Sequence, residues 1–152
     1  MLLVIVVSFL VVFGNGEAFE PPAFLQTDPR KVEGRFTRCG PGRGYYCVID
    51  GDTFKMGSQS VRVVGIDTAE VDSRCPAEAA QAEVSSAALQ RWLNRGPFRI
   101  TARIDEPMDR YGRSLRIVKR LNTDGSEDRL ADWMIAQGGA RDYIGGWRRG
   151  WC

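Results

Sequence analysis

The chain has 152 residues, a formal net charge of +2, four cysteines and no histidine. That length supports one domain with a single hydrophobic core. The lack of histidine excludes Ser-His-Asp and Cys-His catalysis, HExxH and Cys2His2 zinc sites, and histidine-dependent nucleases. Any catalysis must therefore come from carboxylates, arginines, a tyrosine or a metal ion.

The run from Met1 to Phe13 is apolar apart from Ser8, and Gly14-Asn15-Gly16-Glu17-Ala18 follows it. It is shorter than the roughly 20 apolar residues of a spanning helix and matches the apolar region of an export signal. Residues 1–18 are read as a signal peptide cleaved after Ala18, with a short membrane anchor as the competing reading because no Lys or Arg precedes the run. The expected location is secreted or periplasmic, with no stable membrane span after processing. In such an oxidising compartment Cys39, Cys47, Cys75 and Cys152 are expected to form two disulfides. Three connectivities are possible, and Cys39–Cys47 with Cys75–Cys152 is favoured. A cysteine metal site lacks both a CxxC pair and histidine.

Residues 19–44, with Pro21, Pro22, Pro29, Pro41 and the Gly40-Pro41-Gly42-Arg43-Gly44 run, show little periodicity and read as a linker or N-terminal extension. The glycine run precedes a strand and lacks a following Gly-Lys-Ser/Thr, so it reads as a turn and not as a phosphate loop. Residues 45–152 read as the folded domain. A strand begins at Val48-Ile49 and continues through Phe54 and Met56 after an Asp50-Gly51-Asp52-Thr53 interruption. Gly57-Ser58 suits a hairpin turn, and Ser60 to Ile66 returns. A helix is predicted over Pro76–Asn94, with Pro76 at its first position and Ala80, Val84, Ala87, Ala88 and Trp92 on its apolar face. Gly96-Pro97 stops it.

Phe98, Ile100, Ala102 and Ile104 alternate as a strand, Ser114–Arg120 forms another, and a turn follows at Asn122–Gly125. A second helix is predicted from Ser126 to Gly138-Gly139, with Leu130, Trp133 and Met134 inward. Trp92, Trp133 and Met134 are expected in the core. The basic, aromatic tail, with Trp147, Arg148, Arg149 and Trp151, is expected to pack and solvate a segment held by Cys152, with stacking on and neutralising a nucleic-acid strand as the competing reading. About five strands with two to three helices give an α+β class, an OB-fold five-stranded β-barrel.

Asp52 and Asp67-Thr68 fall on neighbouring segments of the Gly57-Ser58 hairpin. Carboxylates and a threonine are hard oxygen ligands suited to Ca²⁺ or Mg²⁺, although Asp-Gly and Asp-Thr also serve as turn residues. Arg62 sits inside an apolar strand, where a cation needs a carboxylate partner or an anionic ligand, and Arg113 ends a turn-like segment. By strict alternation Arg62 and Asp67 face opposite ways, so bringing them to one site requires a bulge or strong coiling near Gly65.

Three segments, Val48-Ile49-Asp50-Gly51-Asp52-Thr53, Val61-Arg62 through Ile66-Asp67-Thr68-Ala69-Glu70, and Asp109-Arg110-Tyr111-Gly112-Arg113, resemble the staphylococcal nuclease (thermonuclease) family in order and spacing. The resemblance covers about residues 45–144. It implies an OB-fold barrel and Ca²⁺-dependent hydrolysis of DNA and RNA phosphodiesters to 3′-phosphate ends. Asp52 and Asp67 would bind Ca²⁺ through carboxylates and Thr68 through its carbonyl. Glu70 would orient or deprotonate the attacking water, and Arg62 and Arg113 would stabilise the scissile phosphate. Arg110, Tyr111 and Tyr143 would contact the nucleotide. The chain departs from the family at Ala69, where proline is common, and in the short segment from Val71 to Arg74. A monomer is expected. The competing readings are a non-catalytic OB-like module that binds nucleic acid or a protein ligand, and a disulfide-stapled structural domain.

Overall fold

The computed structural model describes residues 20–42 and 44–152. The signal-peptide reading of residues 1–18 lies outside them. The fold is α+β, with a curled mixed sheet and two α-helices. Ten short strands are present among the described residues: β1 Arg30–Val32, β2 Thr37–Arg38, β3 Tyr46–Val48, β4 Thr53–Met56, β5 Gln59–Val63, β6 Ile66–Asp67, β7 Phe98–Thr101, β8 Ser114–Leu121, β9 Glu127–Arg129 and β10 Arg141–Asp142. The helices are α1 Pro76–Leu93 and α2 Leu130–Gln137. Among the described residues no helix is long and apolar enough to cross a membrane.

The main sheet runs β1-β7-β8-β5-β4-β3-β2, with β9 added to β8, while β6 and β10 form a separate antiparallel pair. Strand β8 curls it: Ser114 to Arg116 pair in parallel with β5, and Ile117 to Lys119 pair antiparallel with β7. One long strand thus belongs to two differently directed sheet halves, and its twist wraps them around one core.

The strand count exceeds the expected five because turns divide the apolar runs. The Asp50-to-Asp52 segment joins two antiparallel strands, β3 and β4, in which Val48 pairs with Phe54. It does not interrupt a single strand. The Gly57-Ser58 turn is as expected, with Met56 opposite Gln59 and Gly57 at φ 63°. After Val63 the chain turns at Val64-Gly65, with Gly65 at φ 90°, before β6 begins. This is the break anticipated near Gly65. A positive φ is open to glycine without steric cost.

The core contains Phe36, Phe54, Trp92, Leu93, Phe98, Leu130 and Met134. Trp133 packs against it while half-buried. Within the expected extension, residues 20–42 contain more structure than a linker. Val32 and Phe36 are buried, and β1 pairs with β7. Asn94 at the end of α1 clasps Phe36: its Oδ1 accepts from Phe36 N at 2.8 Å, and its Nδ2 donates to Phe36 O at 2.9 Å. Isolated apolar residues between prolines and glycines give no periodic signal, which is why this segment is silent in the sequence.

Helix α1 starts at Pro76 as expected, and Cys75 caps it by accepting the Glu78 N–H on its sulfur. Its buried residues are Glu78, Ala82, Ser85, Ser86, Ala88, Leu89, Trp92 and Leu93. Ala80 and Val84 lie exposed, contrary to the expected stripe, and the buried Ser85 stands against the Gly51 turn. Helix α2 begins at Leu130, since Glu127–Arg129 pair with β8 as β9 before the chain coils. Ile104 is 61% exposed, beyond the end of β7. The cysteines form Cys39–Cys47 and Cys75–Cys152, the favoured connectivity. Two disulfides suit an oxidising, extracellular environment.

Candidate active site

The site is assembled by the β3–β4 turn, the β5–β6 break and the C-terminal tail. Gly51 lets the first of these close up. A β-carbon there would stand 2.5 Å from Ser85 Cβ of α1 and 2.9 Å from Thr68 Cβ. Any larger residue would push the turn away from both. Asp52 follows, buried, beside Thr53, which pairs with Arg62 across the β4–β5 hairpin.

Arg62 and Asp52 form an ion pair through Nη1 and Oδ1, and their side chains are 7% and 5% exposed. Arg62 Nη2 also donates to the carbonyl of Ile66 at 3.2 Å, across the Val64-Gly65 turn. That bond ties the end of β5 to β6, bringing Asp67 alongside. Thr53 Oγ1 donates to Asp52 Oδ1 at 2.8 Å, and Arg113 Nη1 donates to Thr53 Oγ1 at 3.5 Å. A continuous chain of polar contacts therefore links Arg113, Thr53, Asp52 and Arg62.

Asp109 aims Arg113. Its carboxylate accepts the backbone N–H of Tyr111 and of Arg113, each at 2.9 Å, and Arg113 Nε at 2.7 Å. Burial opposes ionisation of Asp109, but these N–H groups and the guanidinium hold its carboxyl below the ordinary value. Tyr111 is 69% exposed, with Arg110 stacked 4.8 Å from its ring centroid. The Arg113 guanidinium stands 5.5 Å from the same ring.

Asp67 is buried on β6, and Thr68 and Ala69 behind it are also buried, while Glu70 is exposed. Strand β10 pairs Arg141 with Asp67, and Tyr143 N donates to Gly65 O at 3.0 Å. Tyr143 thereby lies at the same edge, and Arg148 from the tail stands 5.6 Å from its ring. Arg148 Nη2 contacts Asp67 Oδ1 at 2.7 Å, and Nη1 contacts Glu70 Oε1 at 2.8 Å.

The electrostatics are those of crowded carboxylates. Burial would raise Asp52, but Arg62 overrides it and keeps the carboxyl below its ordinary value. Asp67 is raised, by burial first and then by the Asp52 charge, despite the opposing Arg148 guanidinium. Asp50 is pushed up to about 7 by burial and by the neighbouring Asp52. Its Oδ1 also accepts the Asp52 N–H at 3.0 Å.

The expected residues are thus contiguous. Asp52, Arg62 and Asp67 form the buried floor with Thr68 adjoining; contacts run out on one side through Thr53 to Arg113, Tyr111 and Arg110, and on the other through Arg148 to Glu70 and Tyr143. Sequence reasoning missed Arg148, Gly51 and Asp50 as members. Arg148 had a usable signal: a Cys75–Cys152 bond returns the tail to the neighbourhood of residue 70.

Asp52 raises the pKa of Asp50 and Asp67 while Arg62 holds that of Asp52 itself down, and carboxylate oxygens are the donor type that a hard divalent cation takes. Among the described residues no three acidic or cysteine side chains converge to hold an ion. A groove of about 440 Å³ lies apart from the site, beside Gln26, Thr101 and Lys119. Lys119 there is already paired with Glu20 and Glu127. No protein-family model and no curated protein matches the chain.

Proposed function

We propose that the protein is a Ca²⁺-dependent nuclease that hydrolyses phosphodiester bonds of DNA and RNA, leaving 3′-phosphate ends on an OB-like barrel. One observation carries this reading: two guanidiniums, Arg62 and Arg113, are linked through Thr53 and Asp52, and Arg62 grips the Ile66 carbonyl next to buried Asp67, which shares Arg148 with exposed Glu70. Asp52 and Asp67, with the Thr68 carbonyl, would hold the ion, which supplies charge neutralisation at the phosphate.

The chain's own residues divide the remaining work. Glu70, at the exposed rim, accepts a proton from the attacking water. Arg62 and Arg113 offset the negative charge that grows on the non-bridging oxygens. The water oxygen bonds to phosphorus as the bond to the 5′-oxygen breaks, and that oxygen leaves with the electron pair and takes a proton from solvent. Arg110 with Tyr111, and Tyr143, offer ring faces and positive charge to neighbouring nucleotides.

The test is hydrolysis of single-stranded DNA and RNA by the purified protein, with Ca²⁺ or with chelator. Wild-type cleavage should require the ion. Glu70→Gln should lower the rate by about 10²–10⁴-fold without loss of folding. A folded wild-type protein that cleaves nothing across divalent metals would leave the alternative, a non-catalytic module. That alternative draws on exposed Tyr111 and its stacked Arg110.

A further inference from the structure

Resting on the assignment of Asp67 as a metal ligand, we propose that the C-terminal tail is a latch: Arg148 occupies the carboxylate cleft, and a divalent cation must displace it to bind. Its guanidinium bridges Asp67 and Glu70, the two carboxylates assigned to the ion and to water activation. While it does so, Asp67 Oδ1 and Glu70 Oε1 are both occupied by the guanidinium.

The tail is built to hold this position. Gly145 and Gly146 adopt φ of 102° and 89°, so the chain doubles back just before Trp147 and Arg148. Beyond Arg148, Arg141 donates to the carbonyl of Gly150 at 3.0 Å and stacks 3.6 Å from the Trp151 ring centroid. Cys152 is then bonded to Cys75, five residues past Glu70. Arg148 is therefore held between β10, which pairs with β6, and the anchored Gly150–Cys152 end, so its encounter with the carboxylates is intramolecular, at high effective concentration. The Glu70 half of the contact is weakly held, with the Arg148 side chain 39% exposed and that of Glu70 49% exposed, whereas that of Asp67 is 7% exposed. An ion pair of that exposure is readily exchanged.

Tethering and weak contact together make a competitor. One guanidinium brings a single positive charge to two carboxylates, whereas Ca²⁺ brings two. The closed fraction lowers apparent ion affinity in proportion. Opening the Cys75–Cys152 bond would loosen one tether while Arg141 keeps the other, giving a smaller effect than removing Arg148 itself.

The experiment is calorimetric titration of Ca²⁺ into the purified protein, which reads binding independently of cleavage. Arg148→Gln should bind about tenfold more tightly than wild type. The Cys75→Ser/Cys152→Ser double variant should fall between them, and Asp67→Asn should bind far more weakly. If Arg148→Gln fails to fold, Arg148→Lys serves instead, since a single ammonium grips two carboxylates less well than a planar fork. It should bind Ca²⁺ more tightly than wild type by a smaller factor. Equal or weaker binding by the Arg148 variant, with wild type binding normally, would overturn the latch and leave the metal assignment standing. Failure of every protein to bind Ca²⁺ would overturn the metal assignment and the latch with it.

Discussion

Arg62 and Arg148 each neutralise a buried carboxylate, yet the molecule holds them in opposite ways. Arg62 is on a central strand, with Thr53 opposite in register, Asp52 on one side and the Ile66 carbonyl on the other. Arg148 reaches Asp67 from an exposed tail that follows two glycines. The first cation is part of the fold, because removing it strands a carboxylate away from water. The second is an addition to the fold, because solvent or another cation can replace it. Burial of the guanidinium, more than the presence of an ion pair, decides which role an arginine plays.

The largest expected effect follows from that contrast. Arg62→Ala leaves Asp52 buried without its partner and should destabilise the fold by about 3–5 kcal/mol. Arg148→Ala should cost no more than about 1 kcal/mol. Urea denaturation of both variants in chelator measures the difference directly. Equal losses would break the comparison, since they would make the tail contact as structural as the strand contact.

A smaller effect tests the crowding of the carboxylates. Asp50 rises from an ordinary 3.8 to about 7 in the folded protein, through burial and then the Asp52 charge. Below pH 3.8 it is protonated both folded and unfolded and carries no penalty. Between pH 3.8 and 7 the folded protein keeps a proton that the unfolded chain has lost, so stability falls as pH rises through that window. Asp50→Asn removes this dependence and keeps an oxygen to accept the Asp52 N–H. The variant should match wild type below pH 4 and exceed it at pH 8 in chelator. For a half-buried group the gain is about 2 kcal/mol, roughly half what the unscreened shift would carry. A constant difference across pH 4 to 8 would show that Asp50 is not charged against its neighbours.

What was legible in the sequence follows the same division between sheet and periphery. The Gly57-Ser58 turn, the break near Gly65 and the start of α1 at Pro76 are local: each depends on residues within a few positions of itself. The misplaced start of α2 is local only in appearance. Ser126 with Glu127 and Asp128 has the composition of a helix start, but β8 extends far enough to recruit Glu127–Arg129 as a strand. Phe36 and Val32 gave no pattern because Asn94 and β7, more than fifty residues away, fix them. The grouping of Asp52, Arg62 and Asp67 could be anticipated because one hairpin and one glycine bring them together. Arg148 could be found only by following the disulfide back to Cys75, a contact across 77 residues.

The smallest expected effect concerns the rim, where Arg113 is held by neither strand nor tail but by one carboxylate. Asp109 accepts three N–H groups, two of them from Arg113, and so sets where that guanidinium lies against Thr53. Asp109→Ala should cost about 1 kcal/mol of stability, since the turn is largely solvated and water can replace the lost acceptor in part. If Arg113 stabilises the scissile phosphate, kcat should fall about tenfold through loss of aim, less than for Arg113→Ala, which removes the charge itself. Asp109→Asn, keeping one acceptor oxygen, should recover part of the rate. Because the Asp109 carboxyl is held below its ordinary 3.8, its stabilisation is present above that pH and disappears as the folded carboxyl protonates in stronger acid. The stability gap between wild type and Asp109→Ala should therefore narrow below pH 3.8. A gap that persists unchanged at pH 2 would mean that shape, and not the charged acceptor, holds Arg113 at the rim.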